Sequence, residues 1–213
     1  MSSRSDELAS LKERQGELTR QLILDAAVQQ AQDGLLREVT MRSVAQRANI
    51  AERTVFRYFA SREQLLDELA VEVSRRLELP ALPATAPELA RSAGKFYAAF
   101  EAHASLTTTA LHSELFDRIR DSVARDRWAR IRALVDAWAP RRSERVRAFA
   151  AAHIRYLLAA STWHYYRFYF GFSLEDSIAA AQLAIEQTLA GLKPPPGRVR
   201  RPRAPSRAAA TSR

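Results

Sequence analysis

The chain has 213 residues, of which 47% are hydrophobic and 27% charged, and its formal net charge at pH 7 is +9. It contains no cysteine, which excludes disulfide bonds and metal sites built from thiolates. No uncharged run approaches the roughly 18 residues that a membrane-spanning helix needs and no secretory signal opens the sequence, so we expect a cytoplasmic protein without a membrane partner.

The N-terminal region predicts a polar arm followed by a first helix. Residues 1–17 are polar, and we expect a flexible arm in which Asp6 to Arg14 form a loose helix. From Leu18 onward the apolar residues recur with helical spacing, and Gly34 is expected to cap the helix at its C-terminal end. The residues expected on the buried face are Leu22, Ile23, Ala26, Ala27 and Ala31.

Residues 40–59 predict two short helices joined by a tight turn. Met41, Val44, Ala45 and Ala48 have the spacing of one apolar stripe. Thr40 precedes this stripe, where its hydroxyl can accept a hydrogen bond from a first-turn N–H. Asn49 follows at the turn and tolerates the left-handed conformation that such a junction needs, and Ile50 is expected between the two crossing helices.

The second of these helices is expected to bury Val55 and Phe59. Its outward residues combine guanidinium, hydroxyl and aromatic groups: Glu52, Arg53, Thr54, Phe56, Arg57 and Tyr58. Such a face suits phosphates and base edges better than a core, and residues 37–62 carry six arginines against two glutamates. The pattern therefore predicts a helix-turn-helix that binds DNA, with an ordinary core hairpin as the alternative.

A fourth helix, a linker and a helical body follow. Ser61 to Gln64 form a capping-box pattern that begins the fourth helix, whose predicted inward residues are Leu65, Leu66, Leu69 and Val73. Three prolines between residues 79 and 87 mark the junction with the body, and Thr85 to Glu88 form a second capping-box pattern. Further helices are expected at about 105–112, 113–138, 143–170 and 174–190. Without any strand pattern, the predicted fold is all-α, with about nine helices.

In this order of elements, residues 18–70 resemble the TetR family of transcriptional regulators. The resemblance is carried by Thr40, Val44-Ala45, Ala48-Asn49-Ile50, Thr54 to Phe59 and Arg62 to Leu66. It implies an N-terminal three-helix helix-turn-helix head, residues 18–79, on a helical ligand-binding and dimerisation body, residues 85–192. It places the following residues at DNA: Thr40, Arg42, Arg53, Thr54, Phe56, Arg57, Tyr58 and Arg62.

Three residues depart from the usual family pattern. Ala51 stands where a serine usually caps the recognition helix, which typically costs ~1 kcal/mol unless another group supplies the cap. Phe56 replaces a usual tyrosine and exchanges a hydroxyl contact for an apolar one. Tyr58 replaces a usual histidine, which keeps a hydrogen-bonding group at the end of the side chain but changes its distance from the backbone. These departures leave the operator sequence open.

The resemblance also implies a homodimeric, ligand-responsive repressor that binds a palindromic double-stranded DNA operator and associates with the nucleoid. A small-molecule effector is expected in the body, and the apolar character of the expected walls favours a lipophilic or aromatic compound. The expected pocket walls are Phe96, Phe100, Leu111, Trp138, Tyr156 and Trp163. The residues expected at the dimer interface, on the last two helices, are Phe168, Ile178, Ala181, Ile185 and Leu189. A family member that activates, or acts without a ligand, is an alternative.

The aromatic run from Trp163 to Phe170 covers every face of its predicted helix. Such a helix must be buried on several sides, so we expect it to contribute to the dimer interface and to the pocket wall, with a plain core helix as the alternative.

The four histidines lack metal-ligand spacing, and no catalytic motif is present. We therefore expect no enzyme activity, no cofactor and no metal site. The alternative is a helical-body enzyme with an incidental DNA-binding head.

The tail from Lys193 contains three consecutive prolines and six further arginines, without an acid. This composition cannot bury an apolar face, so residues 193–213 are expected to be disordered and basic. The tail is either a solvated end or an electrostatic tether to phosphates. A tether would suit a sequence-tolerant architectural DNA-binding protein, which is the alternative to a regulator.

Overall fold

The computed structural model describes residues 2–33 and 39–193, with side chains except those of residues 2–10 and 121–124. Within these ranges all regular secondary structure is helical. The helices are α1 Ser2–Gln32, α2 Met41–Arg47, α3 Glu52–Tyr58, α4 Arg62–Arg76, α5 Glu88–Ala102, α6 Ala104–Leu111, α7 Leu115–Trp138, α8 Glu144–Leu157, α9 Ala160–His164 and α10 Leu174–Leu192. A π-helical turn, Tyr165–Tyr169, continues α9. None of the described helices has the length and apolar character needed to cross a bilayer.

The predicted arm and the predicted first helix form one continuous helix, α1. Ile23, Ala26, Ala27 and Ala31 are buried as predicted, whereas Leu22 is 45% exposed. The buried stripe thus includes Leu24 and Val28 in place of Leu22. Gly34, the predicted cap, and the tail beyond Lys193 lie outside the described residues.

The turn of the helix-turn-helix has the predicted local chemistry. The Thr40 hydroxyl accepts a hydrogen bond from the Ser43 N–H at 3.0 Å, and the Ser43 hydroxyl accepts one from the Thr40 N–H at 2.9 Å. Asn49 has a φ of +53°, in the left-handed region. Ala51 provides no side-chain cap for α3. These three predictions are confirmed.

The two predicted capping boxes are each only half formed. The Ser61 hydroxyl accepts a hydrogen bond from the Gln64 N–H at 3.2 Å, but Gln64 Oε1 accepts one from the Ala60 N–H. In the second box, Glu88 Oε2 accepts a hydrogen bond from the Thr85 N–H at 3.3 Å, and no side chain caps α5. Pro87 directly precedes the helix with helical dihedrals, at a position where its missing N–H costs no intrahelical hydrogen bond.

The single helix predicted over 143–170 is wrong, since the chain breaks between α8 and α9. Ala159 is extended, with φ −88° and ψ +152°. The Thr162 hydroxyl donates to the Tyr156 carbonyl at 2.6 Å and satisfies an acceptor at the end of α8. Beyond the break, Trp163 is buried while Phe168 is 55% exposed, so the aromatic run is divided between core and surface.

Two hydrophobic clusters make up the core. The first joins α1, α2, α3 and α4, and it also contains Leu106 and Ala110 from α6 and Leu115 from α7. The second joins α5, α7, α8, α9 and α10. Leu79, which follows α4, packs against both clusters. The head and the body are therefore in direct apolar contact at the end of α4.

Candidate DNA-binding surface and ligand cavity

The helix α3 is fixed to the head by its inner face. Val55 and Phe59 have no exposed surface, and the Arg20 guanidinium lies over the Phe59 ring, 5.3 Å from its centroid. The opposite face of α3 is open: Phe56 is 49% exposed, and Arg53 and Arg57 are exposed. The structure thus holds one face of a short helix rigidly and presents the other to solvent.

The predicted DNA-contacting residues differ in how free their side chains are. Thr40 and Arg42 are exposed at the start of α2, and Thr54 is half-buried on α3. Among the described residues, no acidic group pairs with Arg42 or Arg53. Arg57 lies over the ring of Tyr58 at 5.1 Å and donates to its hydroxyl at 3.4 Å. The exposed guanidinium groups match what phosphate and base contact require.

Tyr58 faces α1 rather than open solvent. Its side chain is half-buried against the first cluster, and a Cβ at Gly16 would lie 3.9 Å from its hydroxyl oxygen. A hydrogen bond with Thr19 lowers the pKa of Tyr58, with Arg57 acting in the same direction. Tyr58 therefore orients Arg57 and fixes α3 against α1, in addition to any contact with DNA.

The Arg62 guanidinium forms hydrogen bonds within its own chain. Its Nε donates to the Val39 carbonyl at 2.7 Å, and its Nη1 donates to the Glu114 carboxylate at 3.3 Å. The phosphate contact expected for Arg62 would require the guanidinium to leave Glu114, because the same N–H groups serve both acceptors.

A cavity of about 420 Å³ lies between the head and the body. Its size is typical of small-molecule sites. It is lined from the end of α4 by Leu77 and Leu79, from α5 and α6 by Phe100, Thr107, Ala110 and Leu111, from α7 by Phe116, Ile119, Arg120, Arg127 and Trp128, and from α8 to α9 by Ala152, Arg155, Tyr156, Leu158, Ala159, Ala160 and Ser161.

Three of the six predicted pocket walls line this cavity: Phe100, Leu111 and Tyr156. The other three lie elsewhere for identifiable reasons. The Arg127 guanidinium covers the Phe96 ring, 4.9 Å from its centroid. Trp138 is held at the far end of α10, where its Nε1 donates to the Leu189 carbonyl at 3.2 Å. Trp163 is fully buried, and its Nε1 donates to Glu101 at 2.9 Å.

Helical spacing did not indicate that two cationic residues, Arg127 of α7 and Arg155 of α8, would line the cavity. Among the described residues, neither forms an ion pair with an acid. Burial and the neighbouring charge of Arg155 lower the pKa of Arg127 to about 10, and burial lowers the pKa of Arg155. The cavity thus combines apolar walls with two guanidinium groups that remain charged at neutral pH.

Most of the residues on α10 that were predicted at the dimer interface are buried inside their own subunit. Ala181 and Ile185 have no exposed surface, and Leu189 is 5% exposed. Ile178 is half-buried, and a Cβ at Gly94 of α5 would lie 3.6 Å from its Cγ2. The face of α10 that carries these residues packs against its own body, so these residues are not available for contact with a second subunit. Phe168 is the exception, at 55% exposed.

The histidines do not form a metal site with three ligands within the described part of the chain. His112 and His164 approach each other, with their Nε2 atoms 3.2 Å apart. Burial, together with the charge of His112, lowers the pKa of His164. The pair joins the end of α6 to α9.

Comparison with known proteins places the head in a family. Residues 23–69 match the model of the bacterial regulatory proteins of the tetR family. The crystal structure of a TetR-like transcriptional regulator from Rhodococcus sp. RHA1 has a TM-score of 0.55 with this chain at 17% sequence identity, covering 81% of this chain and 96% of that one. At this identity the likeness shows a common fold. No curated protein matches the chain.

The family match covers the last part of α1, all of α2 and α3 and the first half of α4, and so includes the helix that presents the exposed recognition face. The structural likeness extends over the helical body, which contains the cavity. The local chemistry of the turn and the match over residues 23–69 identify the head as a helix-turn-helix of the tetR family type, and the shared all-helical fold extends the structural likeness over the body.

Proposed function

We propose that the protein is a homodimeric repressor that releases its operator when a small molecule occupies the cavity. In this proposal α3 of each subunit enters the major groove, and the two copies of α3 lie about 34–36 Å apart on one face of a palindromic site. Arg42, Arg53 and Arg57 supply phosphate and base contacts. Phe56 offers an apolar contact to a thymine methyl.

The main support for this proposal is the location of the cavity. Phe116 and Ile119 line the cavity from the first turns of α7. The same turns hold α4, because Arg118 pairs with Glu63 and Asp67. A ligand that moves the start of α7 would therefore move α4, and with it the head. Coupling free energies of ~1–3 kcal/mol are typical of such links.

The homodimer is supported by an exposed apolar stripe on α8. Val146 is 43%, Phe149 61% and Tyr156 56% exposed, and their spacing places them on one side of the helix. His153, on the same side, hydrogen-bonds to Thr188 of α10 at 3.0 Å, and Leu183 of α10 is 56% exposed. Exposed apolar side chains of this kind on the last two long helices favour packing against a second copy.

Replacement of two recognition arginines tests the proposal. Operator fragments selected from the source genome are measured by fluorescence anisotropy with the wild type and with Arg53→Ala/Arg57→Ala. Each lost contact is expected to cost ~1–3 kcal/mol, so specific affinity should fall at least about tenfold. Tyr58 is left unchanged because it also packs against α1.

The matched control removes the same charge from the body. Arg91→Ala/Arg130→Ala replaces two exposed arginines, on α5 and on α7. This variant should retain specific binding, since both residues lie outside the head. Equal losses in the two double variants would show that binding depends on net charge rather than on α3.

A further inference from the structure

We infer that the effector is a small amphipathic carboxylate, whose apolar body fills the cavity and whose head group binds Arg127 and Arg155. This assignment rests on the proposed function, since it names the chemical class of the effector. It adds an anionic head group to the lipophilic or aromatic compound expected from the sequence.

The charge balance of the cavity is the first support. Among the side chains that the structure describes, its lining includes three arginines and no acidic residue. Arg120 is paired outside the cavity, with Asp117 at 3.1 Å. Arg127 has only the aromatic face of Phe96 as a partner among the described residues. Two cations therefore face an apolar space to which the described part of the chain contributes no carboxylate, an arrangement that costs free energy unless an anion completes it.

The donor geometry is the second support. A guanidinium presents parallel N–H groups that match the two oxygens of a carboxylate, which makes arginine the usual partner of that group in partly buried sites. Arg127 comes from α7 and Arg155 from α8, so a head group between them would join the two helices. Phe100, Phe116 and Trp128 provide aromatic walls for the rest of the molecule.

Calorimetric titration of the full chain with decanoate and with 1-decanol tests the assignment. The two probes share an alkyl chain and differ in the charge of the head group. Decanoate should bind at least about tenfold more tightly than decanol, because only decanoate forms charge-assisted hydrogen bonds with the arginines. Equal affinities, or no binding of decanoate, would overturn the assignment.

Arginine variants locate the head group. In Arg127→Met/Arg155→Met the affinity for decanoate should fall to that for decanol, while decanol binding stays within about twofold. The unliganded variant should unfold at a temperature no lower than the wild type, since two unpaired charges are removed. If this variant fails to fold, the single variants Arg127→Lys and Arg155→Lys, which keep the charge, should lose the bidentate geometry and bind decanoate more weakly. Unchanged decanoate affinity in the folded variants contradicts the assignment.

A second measurement separates this assignment from the proposed function. Decanoate is added to the complex of the protein with its selected operator. Release of DNA supports both proposals. If decanoate binds with the expected dependence on the arginines but leaves the operator bound, the carboxylate site stands and the ligand-responsive mechanism fails.

Discussion

Glu72 lies at the contact between α4 and α1 with its side chain 7% exposed. It accepts hydrogen bonds from Arg75 at 2.7 and 2.8 Å, from Arg76 at 2.7 Å and from Gln21 of α1 at 3.2 Å. The hydrogen bond with Arg75, followed by the contribution of Arg76, lowers the pKa of Glu72 to about 2. This buried carboxylate orders the end of the helix that connects head and body.

Glu72→Gln is expected to lower the free energy of unfolding by about 1–3 kcal/mol at pH 7, because it removes the buried charged acceptor shared by Arg75, Arg76 and Gln21. The folded pKa of about 2 lies below the usual value of 4.5, so the stabilisation is complete above 4.5 and is lost as the pH falls toward 2. The difference between wild type and variant should therefore shrink at about pH 3.5. Urea unfolding at the two pH values measures it.

Glu186→Gln, on the exposed side of α10, is the matched control and should change stability at neither pH. A penalty for Glu72→Gln that is independent of pH would contradict the low pKa of Glu72.

At the scale of elements, α7 is the helix that contacts both the cavity and the head, and the proposed ligand response would pass through it. Its first turns contribute Phe116 and Ile119 to the cavity and Arg118 to α4. Glu63 and Asp67, the partners of Arg118, are 65% and 64% exposed, so these pairs contribute little to stability. Their effect is on the position of α4 relative to α7.

Arg118→Ala should therefore weaken ligand response more than folding or DNA binding. We expect operator affinity without ligand to stay within about threefold of wild type, and the ratio of affinities without and with decanoate to fall toward one. Anisotropy titrations with and without decanoate measure this ratio. Arg91→Ala, on the exposed side of α5, is the control and should leave it unchanged; an unchanged ratio in Arg118→Ala would place the communication route elsewhere.

The elements also show which features a sequence can predict. The stripe of α2, the cap at Thr40 and the left-handed Asn49 depend on residues within one or two turns, and all three were predicted. The break after α8 was not, because it depends on a hydrogen bond from Thr162 to a backbone carbonyl and has no proline or glycine to mark it.

The candidate site was less predictable than the fold, since it depends on long-range packing. Phe96 and Phe100 have the same helical spacing, yet only Phe100 reaches the cavity because Arg127 covers Phe96. The sequence could not single out Arg127 and Arg155 as cavity residues, since lysine and arginine together account for 33 residues of the chain. Their distinction is burial beside an apolar space, which only the tertiary structure provides.

At the scale of the whole molecule, the proposed dimer sets the distance between two heads. A monomer offers one α3 and about half of the operator contacts. The apolar stripe of α8 and Leu183 of α10 are exposed and could pack against a second subunit, whereas the inner face of α10 is occupied by its own body.

Phe149→Glu/Leu183→Glu should yield a monomer at micromolar concentration, since two like charges would face each other across the two-fold axis without compensation. Sedimentation velocity measures the assembly, and operator affinity should fall with it. Val71→Glu places the same charge at a site on α4 that is 59% exposed and should leave the dimer intact. A persistent dimer in the double variant would place the interface elsewhere, for example on the exposed aromatic residues near Phe168.

The first hydrophobic cluster has a consequence for how this protein can be recombined with its relatives. Leu106, Ala110 and Leu115 complete the core of the head, although they lie beyond the proline-rich linker. A chimera that joins residues 1–79 to another regulator's body would omit these side chains and leave the head with an incomplete core. To change the operator specificity of this protein, it is therefore better to replace α3 alone and keep the rest of the head and the body than to exchange the whole head.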